Sequence, residues 1–140
     1  MNVYLDASVL VALLTVDPLT GRADAFMRTH EPEVVISDFA ATEVVSATAR
    51  RVRMRQITPK DAAATFSVLD AWIARKGGRT PMTSEDIERA DAVMRRLDLT
   101  LRTPDALHIA MAERLGATLA TFDSGMAAAA RALGLPVAAA

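Results

Sequence analysis

Short runs of β-branched and aromatic residues, separated by longer segments of helical character, set the strongest limit on what this chain can fold into. The run Val3-Tyr4-Leu5 ends directly in Asp6, and a later run, Thr118 to Phe122, ends in Asp123. Between these runs, apolar residues mostly recur at helical spacing. Strands that alternate with helices predict an α/β fold, with a parallel sheet covered on both faces by its crossover helices.

Cap and turn residues indicate where the helices begin. Ser8 is expected to cap a short helix over residues 9–14, and Asp17-Pro18 is expected to open a second helix, with Asp17 as its cap. Later helices are predicted to follow four further start signals and a final alanine-rich segment. The start signals are Ser37-Asp38, Thr58-Pro59, Thr83 with Asp86, and Thr103-Pro104.

Three other patterns give more specific expectations. Residues at helical spacing after Thr83 predict the buried stripe of one helix, formed by Ile87, Ala90, Met94 and Leu97. The segment Thr80-Pro81-Met82 predicts a short edge strand. The segment from Gly134 to Val137 predicts a last strand.

Length and composition exclude several classes of protein. The chain has 140 residues, so we expect residues 1–140 to fold as a single domain. The hydrophobic fraction of 51% excludes general disorder, and the absence of cysteine excludes disulfide scaffolds and thiolate zinc sites. A net charge of −1 excludes a uniformly basic surface for nucleic acid, so any such contact must use a local patch.

The sequence also bears on location. No run reaches the roughly 18 apolar residues that a membrane span needs. The early apolar run is short, and no Lys or Arg precedes it, so it does not resemble a signal peptide. We therefore expect a cytoplasmic protein without a membrane partner.

Four acidic residues stand at or near the ends of separate elements. Asp6 and Asp123 follow strands, Asp105 lies in the first turn of a helix, and Glu43 has small or apolar helical neighbours. In an open α/β sheet, functional sites form beyond the carboxyl ends of the strands, where these acids can converge. Clustered carboxylates repel one another unless they take up protons or bind a cation. An all-oxygen site favours Mg²⁺ or Mn²⁺, which activates water and stabilises a phosphate under attack.

Each of these acids also has a purely structural interpretation. Asp6 suits a helix cap, Asp123 a turn, Asp105 the positive end of a helix dipole, and Glu43 a solvated helix face. Taken singly, none of the four identifies a site. Their joint placement at element ends is what favours a functional interpretation.

The motifs around these acids resemble those of PIN-domain ribonucleases, in particular the VapC-type toxins of toxin–antitoxin pairs. The resemblance covers nearly the whole chain, and the order and spacing of the motifs match as well as their residues. It is carried by Leu5-Asp6-Ala7-Ser8, Thr42-Glu43-Val44, the segment Thr103 to His108, and Thr121-Phe122-Asp123.

The resemblance implies a fold, a reaction and partners. The fold would be a three-layer α/β/α PIN-like domain with a central, mostly parallel sheet. The reaction would be Mg²⁺- or Mn²⁺-dependent hydrolysis of RNA phosphodiester bonds, as the toxin of a VapBC-type pair. The implied partners are a cognate VapB-like antitoxin, the RNA substrate and a second copy of the chain in a homodimer.

The resemblance also implies roles for individual residues. The catalytic, metal-binding acids would be Asp6, Glu43, Asp105 and Asp123. Ser8 and Thr121 would support these acids through hydrogen bonds.

Three features remain open at this stage. His108 follows Asp105 by three residues and suits either a phosphate contact or a structural histidine, which we favour. The only dense basic cluster suits either RNA phosphates or a solvated helix end; it comprises Arg50, Arg51, Arg53 and Arg55. Phe66 and Trp72 lie on a predicted helix whose surface groove is our candidate for the antitoxin interface.

Two other functions fit part of the sequence. A non-catalytic PIN-like module that binds protein or RNA would keep the fold, but clustered acids without a cation would destabilise it. A haloacid-dehalogenase-like phosphatase also begins with a strand that ends in Asp. That enzyme needs an acid two residues later and a basic residue downstream, usually lysine, whereas this chain has Ser8 there and no lysine after Lys76.

Overall fold

The computed structural model describes residues 1–139, and residue 140 of the predicted domain lies outside this range. Within that range, four short strands form one sheet in the order β2-β1-β3-β4, and every neighbouring pair is parallel. This confirms the predicted parallel sheet. The strands are β1 (Asn2–Leu5), β2 (Glu33–Val35), β3 (Thr118–Thr121) and β4 (Val137–Ala139).

Helices occupy the connections between consecutive strands. Two lie between β1 and β2, namely α1 (Ala7–Leu14) and α2 (Thr20–His30). Four lie between β2 and β3, namely α3 (Asp38–Arg53), α4 (Pro59–Arg75), α5 (Ser84–Met94) and α6 (Thr103–Arg114). The alanine-rich α7 (Ser124–Ala132) connects β3 to β4.

The sheet separates two hydrophobic cores, because alternate residues of a strand point to opposite faces. Val3, Leu5 and Ala120 belong to the core formed with α1, α2, α3 and α4. Tyr4 and Leu119 belong to the core formed with α5, α6 and α7. The three-layer α/β/α arrangement predicted for the chain is confirmed.

Helix α6 is buried on nearly all sides rather than on one face. Every residue from Asp105 to Ala112 is buried, because α5, α7 and β3 all pack against this helix. Most of these side chains are alanine or aliphatic, which allows close packing. The two polar side chains in this run, Asp105 and His108, must therefore find partners inside the protein.

The first two helix starts differ from the prediction. Asp6, not Ser8, caps α1, and its carboxylate accepts from the Val9 amide. Asp17 forms a turn before α2 instead of capping it, since its carboxylate accepts from the Leu19 amide. The helix itself begins at Thr20, whose hydroxyl donates back to carbonyl groups at the end of α1 and fixes this turn.

The later helix starts agree with the sequence. The Ser37 hydroxyl accepts from the Ala40 amide at the start of α3. Thr58 and Asp61 bond each other's backbone amides in a capping box. These polar side chains satisfy amide groups that have no partner inside the first turn of a helix.

The prediction of a buried stripe on α5 is wrong for the first and last of its four residues. Ile87 is 55% exposed and Leu97 is 93% exposed, whereas Ala90 and Val93 are buried. The helix is turned so that Asp86 faces inward, where its carboxylate pairs with Arg114 of α6 at 2.7 Å. The ion pair between the buried Asp86 carboxylate and the partly exposed Arg114 side chain therefore decides which face of α5 is covered.

Two strand predictions also change. Residues 80–82 form no strand: Thr80 makes a single isolated bridge with Ser37, and Pro81 has no amide hydrogen with which to extend it. The last strand lies further along the chain, at residues 137–139, because Gly134 ends α7 in a left-handed conformation.

In the part of the chain that the structure describes, none of the helices combines the length and the apolar character needed to cross a membrane.

Removing the cation of the buried pair should destabilise the fold. We expect Arg114→Met to lower the free energy of unfolding by about 2 kcal/mol, because Asp86 is left buried without its counter-charge. Burial acts to raise the pKa of Asp86, but Arg114 and the Thr83 amide hold it below its ordinary value. The pair therefore stabilises the fold above the ordinary carboxyl range, and that contribution is lost as the pH falls through the lowered pKa.

Urea unfolding measures this effect, and the surface pair of Arg95 with Asp91 supplies the control. Arg95→Met should have a much smaller effect, because both of its groups are solvated. Equal losses for the two variants at neutral pH would show that the buried pair does not hold α5 and α6 together.

Candidate active site

The site begins at the carboxyl ends of β1 and β3, which are neighbours in the sheet. The connection after β1 leads to β2 on one side, and the connection after β3 leads to β4 on the other. Where the connections after two neighbouring strands leave in opposite directions, a crevice forms beyond the ends of those strands. Asp6 directly follows β1 and Asp123 lies two residues after β3, so the structure brings both to this edge.

Asp6 is a buried carboxylate, 2% exposed, whose partners are all uncharged. Its Oδ1 atom accepts from the Ser8 hydroxyl at 2.6 Å and from the Val9 amide at 3.1 Å. Its Oδ2 atom accepts from the Thr121 hydroxyl. Burial raises the pKa of Asp6 above its ordinary value, although these hydrogen bonds act in the opposite direction.

The two hydroxyl groups also connect Asp6 to the segment after β3. The Ser8 hydroxyl accepts from the Phe122 amide, and the Thr121 hydroxyl accepts from the Asp123 amide, each at 3.0 Å. Both residues thus bridge the ends of β1 and β3, as supporting residues should. Asp123 in turn caps α7 by accepting from the Met126 amide.

Glu43 lies on the first half of α3, with a side chain that is 31% exposed. One carboxylate oxygen, Oε1, accepts a hydrogen bond from Nε2 of His108. His108 is buried, which agrees with the structural interpretation favoured for it, but it also contacts one of the candidate acids. Glu43 therefore does not simply lie on a solvated helix face.

A buried chain of hydrogen bonds continues from His108 into the sheet. The Tyr4 hydroxyl lies 2.7 Å from Nδ1 of His108 and 2.8 Å from the Ser37 hydroxyl. Burial raises the pKa of Tyr4 well above its ordinary value, so the phenol keeps its proton. The chain joins β1, the start of α3 and α6, which are the elements that place Asp6, Glu43 and Asp105.

Asp105 lies in the first turn of α6, one turn before His108. Its Oδ2 atom accepts from the Arg102 amide at 3.3 Å, and the Arg102 guanidinium lies 3.8 Å from the same oxygen. Asp105 and His108 lie three residues apart, so they are neighbours on one side of the helix. This places Asp105 beside the residue that holds Glu43.

Within residues 1–139, no three His, Asp or Glu side chains stand close enough together to hold a metal ion as they are placed. Instead, each of the four acids accepts a hydrogen bond from a donor close to it. Like charges that share no cation repel one another, which favours this separated arrangement. A shared cation would require some of these side chains to move toward it, whereas three hydrogen bonds hold Asp6 where it is.

The arginine cluster lies away from these acids. Helix α3 carries Glu43 near its start and Arg50, Arg51 and Arg53 at its end, about 10–15 Å further along the axis, and Arg55 follows the end of the helix. Two arginines that the sequence did not single out lie closer to the site. Arg22 and Arg131 line a pocket of about 220 Å³ together with Thr121 and Asp123. The Arg22 guanidinium lies 5.2 Å from the centre of the Phe122 ring.

Comparison with known proteins identifies a family and related folds. The family model described as PIN domain matches residues 3–132. Ribonuclease VapC46 of Mycobacterium tuberculosis (strain ATCC 25618 / H37Rv) is 35% identical over 145 residues, which cover 96% of this chain and 95% of that protein.

Solved structures share the fold at lower identity. The crystal structure of FitAcB from Neisseria gonorrhoeae is similar with a TM-score of 0.75 and 20% identity, over 96% of this chain and 95% of that chain. The crystal structure of Mycobacterium tuberculosis VapC20, a sarcin–ricin loop cleaving toxin, is similar with a TM-score of 0.72 and 20% identity. That match covers 91% of this chain and 94% of the VapC20 chain.

The burial of Asp6 without a counter-charge should cost stability when no metal is present. Because its folded-state pKa is raised, the ionised form destabilises the fold at neutral pH, and this cost disappears below the ordinary carboxyl pKa of about 4. We expect Asp6→Asn to raise the melting temperature in EDTA at about pH 7.5, because the amide brings no charge into the interior.

Calorimetric melting between neutral pH and about pH 4 checks this, and the difference should shrink toward the acidic end. Asp70→Asn, a change at an exposed acid, should show no comparable gain. An Asp6→Asn protein that melts below the wild type at neutral pH would contradict the assignment of an uncompensated charge.

Proposed function

Because the chain belongs to the PIN-domain family, we propose that it is a metal-dependent endoribonuclease that acts as the toxin of a VapBC-type toxin–antitoxin pair. Asp6 is the observation that carries this proposal. A carboxylate 2% exposed, at the point where the strand order reverses, has only neutral hydrogen-bond donors among the described residues. Family membership also removes the phosphatase alternative.

The donor set fits a hard divalent cation. Asp6, Glu43, Asp105 and Asp123 offer carboxylate oxygens only, and each keeps acceptor capacity beyond its described hydrogen bonds. Mg²⁺ and Mn²⁺ prefer such ligands. These four residues would hold the ion, which when bound would lower the pKa of a water molecule and neutralise charge on the phosphate under attack.

The surrounding residues prepare the site for that chemistry. Ser8 and Thr121 fix both oxygens of Asp6, so this carboxylate needs little further ordering when a cation binds. The buried position of Asp6 excludes water and strengthens its attraction for a positive charge. The same burial favours protonation, so cation binding should weaken as the pH falls through the raised pKa of Asp6.

The proposed substrate is RNA, and phosphate contacts require positive charge near the acids. Arg22 and Arg131 supply it beside Asp123, in the pocket described above. The arginine cluster at the end of α3 and just after it stays a prediction for RNA contact, and it would contact the RNA only at some distance from the bond that is cut. Its members are Arg50, Arg51, Arg53 and Arg55.

The proposed partners are a VapB-like antitoxin and a second copy of the chain, with the cytoplasm as the proposed location. On α4, Phe66 and Trp72 are half-buried, and the neighbouring Val68 is exposed. An apolar helix of an antitoxin would find complementary surface there. The candidate antitoxin interface therefore stays where the sequence placed it.

Metal-linked stabilisation separates the nuclease from a non-catalytic module of the same fold. We expect saturating Mg²⁺ or Mn²⁺ to raise the melting temperature of the wild type, by roughly 5 °C at ten times the dissociation constant. Asp6→Asn and Asp105→Asn should each remove most of that gain, whereas the surface change Asp70→Asn should keep it. Absence of any shift at millimolar metal would favour the non-catalytic module.

Cleavage of RNA tests the activity itself. We expect purified protein to cut RNA internally in the presence of Mg²⁺ or Mn²⁺, and EDTA to stop the reaction. Asp6→Asn should lower the rate by at least about 100-fold, because the cation loses its best-ordered ligand. Sequencing of the new RNA ends identifies the cut positions, and equal cleavage by the variant would indicate a contaminating nuclease.

A further inference from the structure

We propose that His108 is a positioning residue, which anchors one oxygen of the Glu43 carboxylate so that the other can reach a shared cation, and which is itself oriented by Tyr4. This inference rests on the proposed function, because it assigns a task within the same site. It starts from the buried hydrogen-bond chain that runs from Ser37 through Tyr4 and His108 to Glu43.

The directions of these hydrogen bonds follow from the groups themselves. An ionised carboxylate can only accept, so Nε2 of His108 carries a hydrogen and donates it to Glu43. In the neutral ring Nδ1 then has none, so it accepts from the Tyr4 hydroxyl. The Ser37 hydroxyl donates to the Tyr4 oxygen and accepts from the Ala40 amide.

In this arrangement every hydrogen in the chain has an acceptor. The Tyr4 hydroxyl also lies 3.9 Å from the Met111 sulfur, which is a weaker acceptor than a ring nitrogen. The hydrogen bonds to Tyr4 and to Glu43 together hold the ring in one orientation, with its Nε2 hydrogen directed at Glu43.

This contact acts on one oxygen of Glu43 and leaves the other available. The Glu43 side chain is 31% exposed, so it could adopt several rotamers. Its hydrogen bond to the buried ring of His108 excludes most of them. Donors that orient a carboxylate ligand typically change metal affinity or activity by about 10–100-fold. The position of His108 between Glu43 and β1 thus links the strand that carries Asp6 to the acid on α3.

Two amide substitutions separate positioning from a merely structural role. The amide nitrogen of glutamine can occupy the place of Nε2, whereas the amide of asparagine reaches only the place of Nδ1. His108→Gln keeps the donor to Glu43 and loses the acceptor for Tyr4. His108→Asn keeps a partner for Tyr4 and loses the donor to Glu43. Both variants are neutral, and each removes one buried hydrogen bond.

The experiment is calorimetric titration of the metal-free full chain with Mn²⁺, with melting of the metal-free proteins as the measure of structural damage. We expect His108→Asn to weaken Mn²⁺ binding by about 10–100-fold and His108→Gln to remain within about 3-fold of the wild type. The two metal-free variants should melt at similar temperatures. RNA cleavage at saturating Mn²⁺ provides a second readout.

Other outcomes overturn the inference in distinguishable ways. If the wild type binds Mn²⁺ and cleaves RNA, and both variants bind as it does, His108 has no positioning role while the proposed function stands. Equal weakening in both variants, matched by equal loss of melting temperature, would make His108 a structural residue only. If the wild type binds no Mn²⁺ and cleaves no RNA, the proposed function and this inference both fail.

Discussion

The parallel pairing of β1 with β3 is the constraint on which the rest of this structure depends. Both strands are central in the sheet and covered on both faces, so a residue placed at their ends enters the protein interior. Asp6 stands at that position and is only 2% exposed. Its neighbours Ser8 and Thr121 satisfy the buried carboxylate, and their hydroxyls also join the two strand ends.

Two buried acids show how environment separates a structural charge from a functional one. Asp86 is 1% exposed, yet its pKa lies below the ordinary value because Arg114 and the Thr83 amide offset the effect of burial. Asp6 is buried to a similar degree, and burial raises its pKa because the hydrogen bonds from its neutral partners offset only part of that effect. The first arrangement stabilises the fold. The second leaves a carboxylate without a counter-charge in the interior, which is the arrangement that a cation would stabilise.

The sequence predicted what depends on local patterning and missed what depends on packing between distant elements. The two central strands, most helix starts and the grouping of Asp6 with Asp123 follow from residue types and from the rules of parallel sheets. The exposed Ile87 could not be anticipated, because the covered face of α5 is decided by an ion pair with α6. The bond of His108 to Glu43 joins residues 65 apart, and no periodicity encodes such a contact.

The structural and functional interpretations of Asp6 are compatible, because a carboxylate has more acceptor sites than a helix cap uses. Two oxygens offer about four lone-pair positions. Oδ1 accepts from Ser8 and Val9, and Oδ2 accepts from Thr121, so one position on Oδ2 remains. Capping fixes the direction in which that position points, because rotation of the side chain would break the cap. In the proposed site, the N-terminus of α1 would thus order the Asp6 carboxylate before a cation binds, and the helix start would be part of the site.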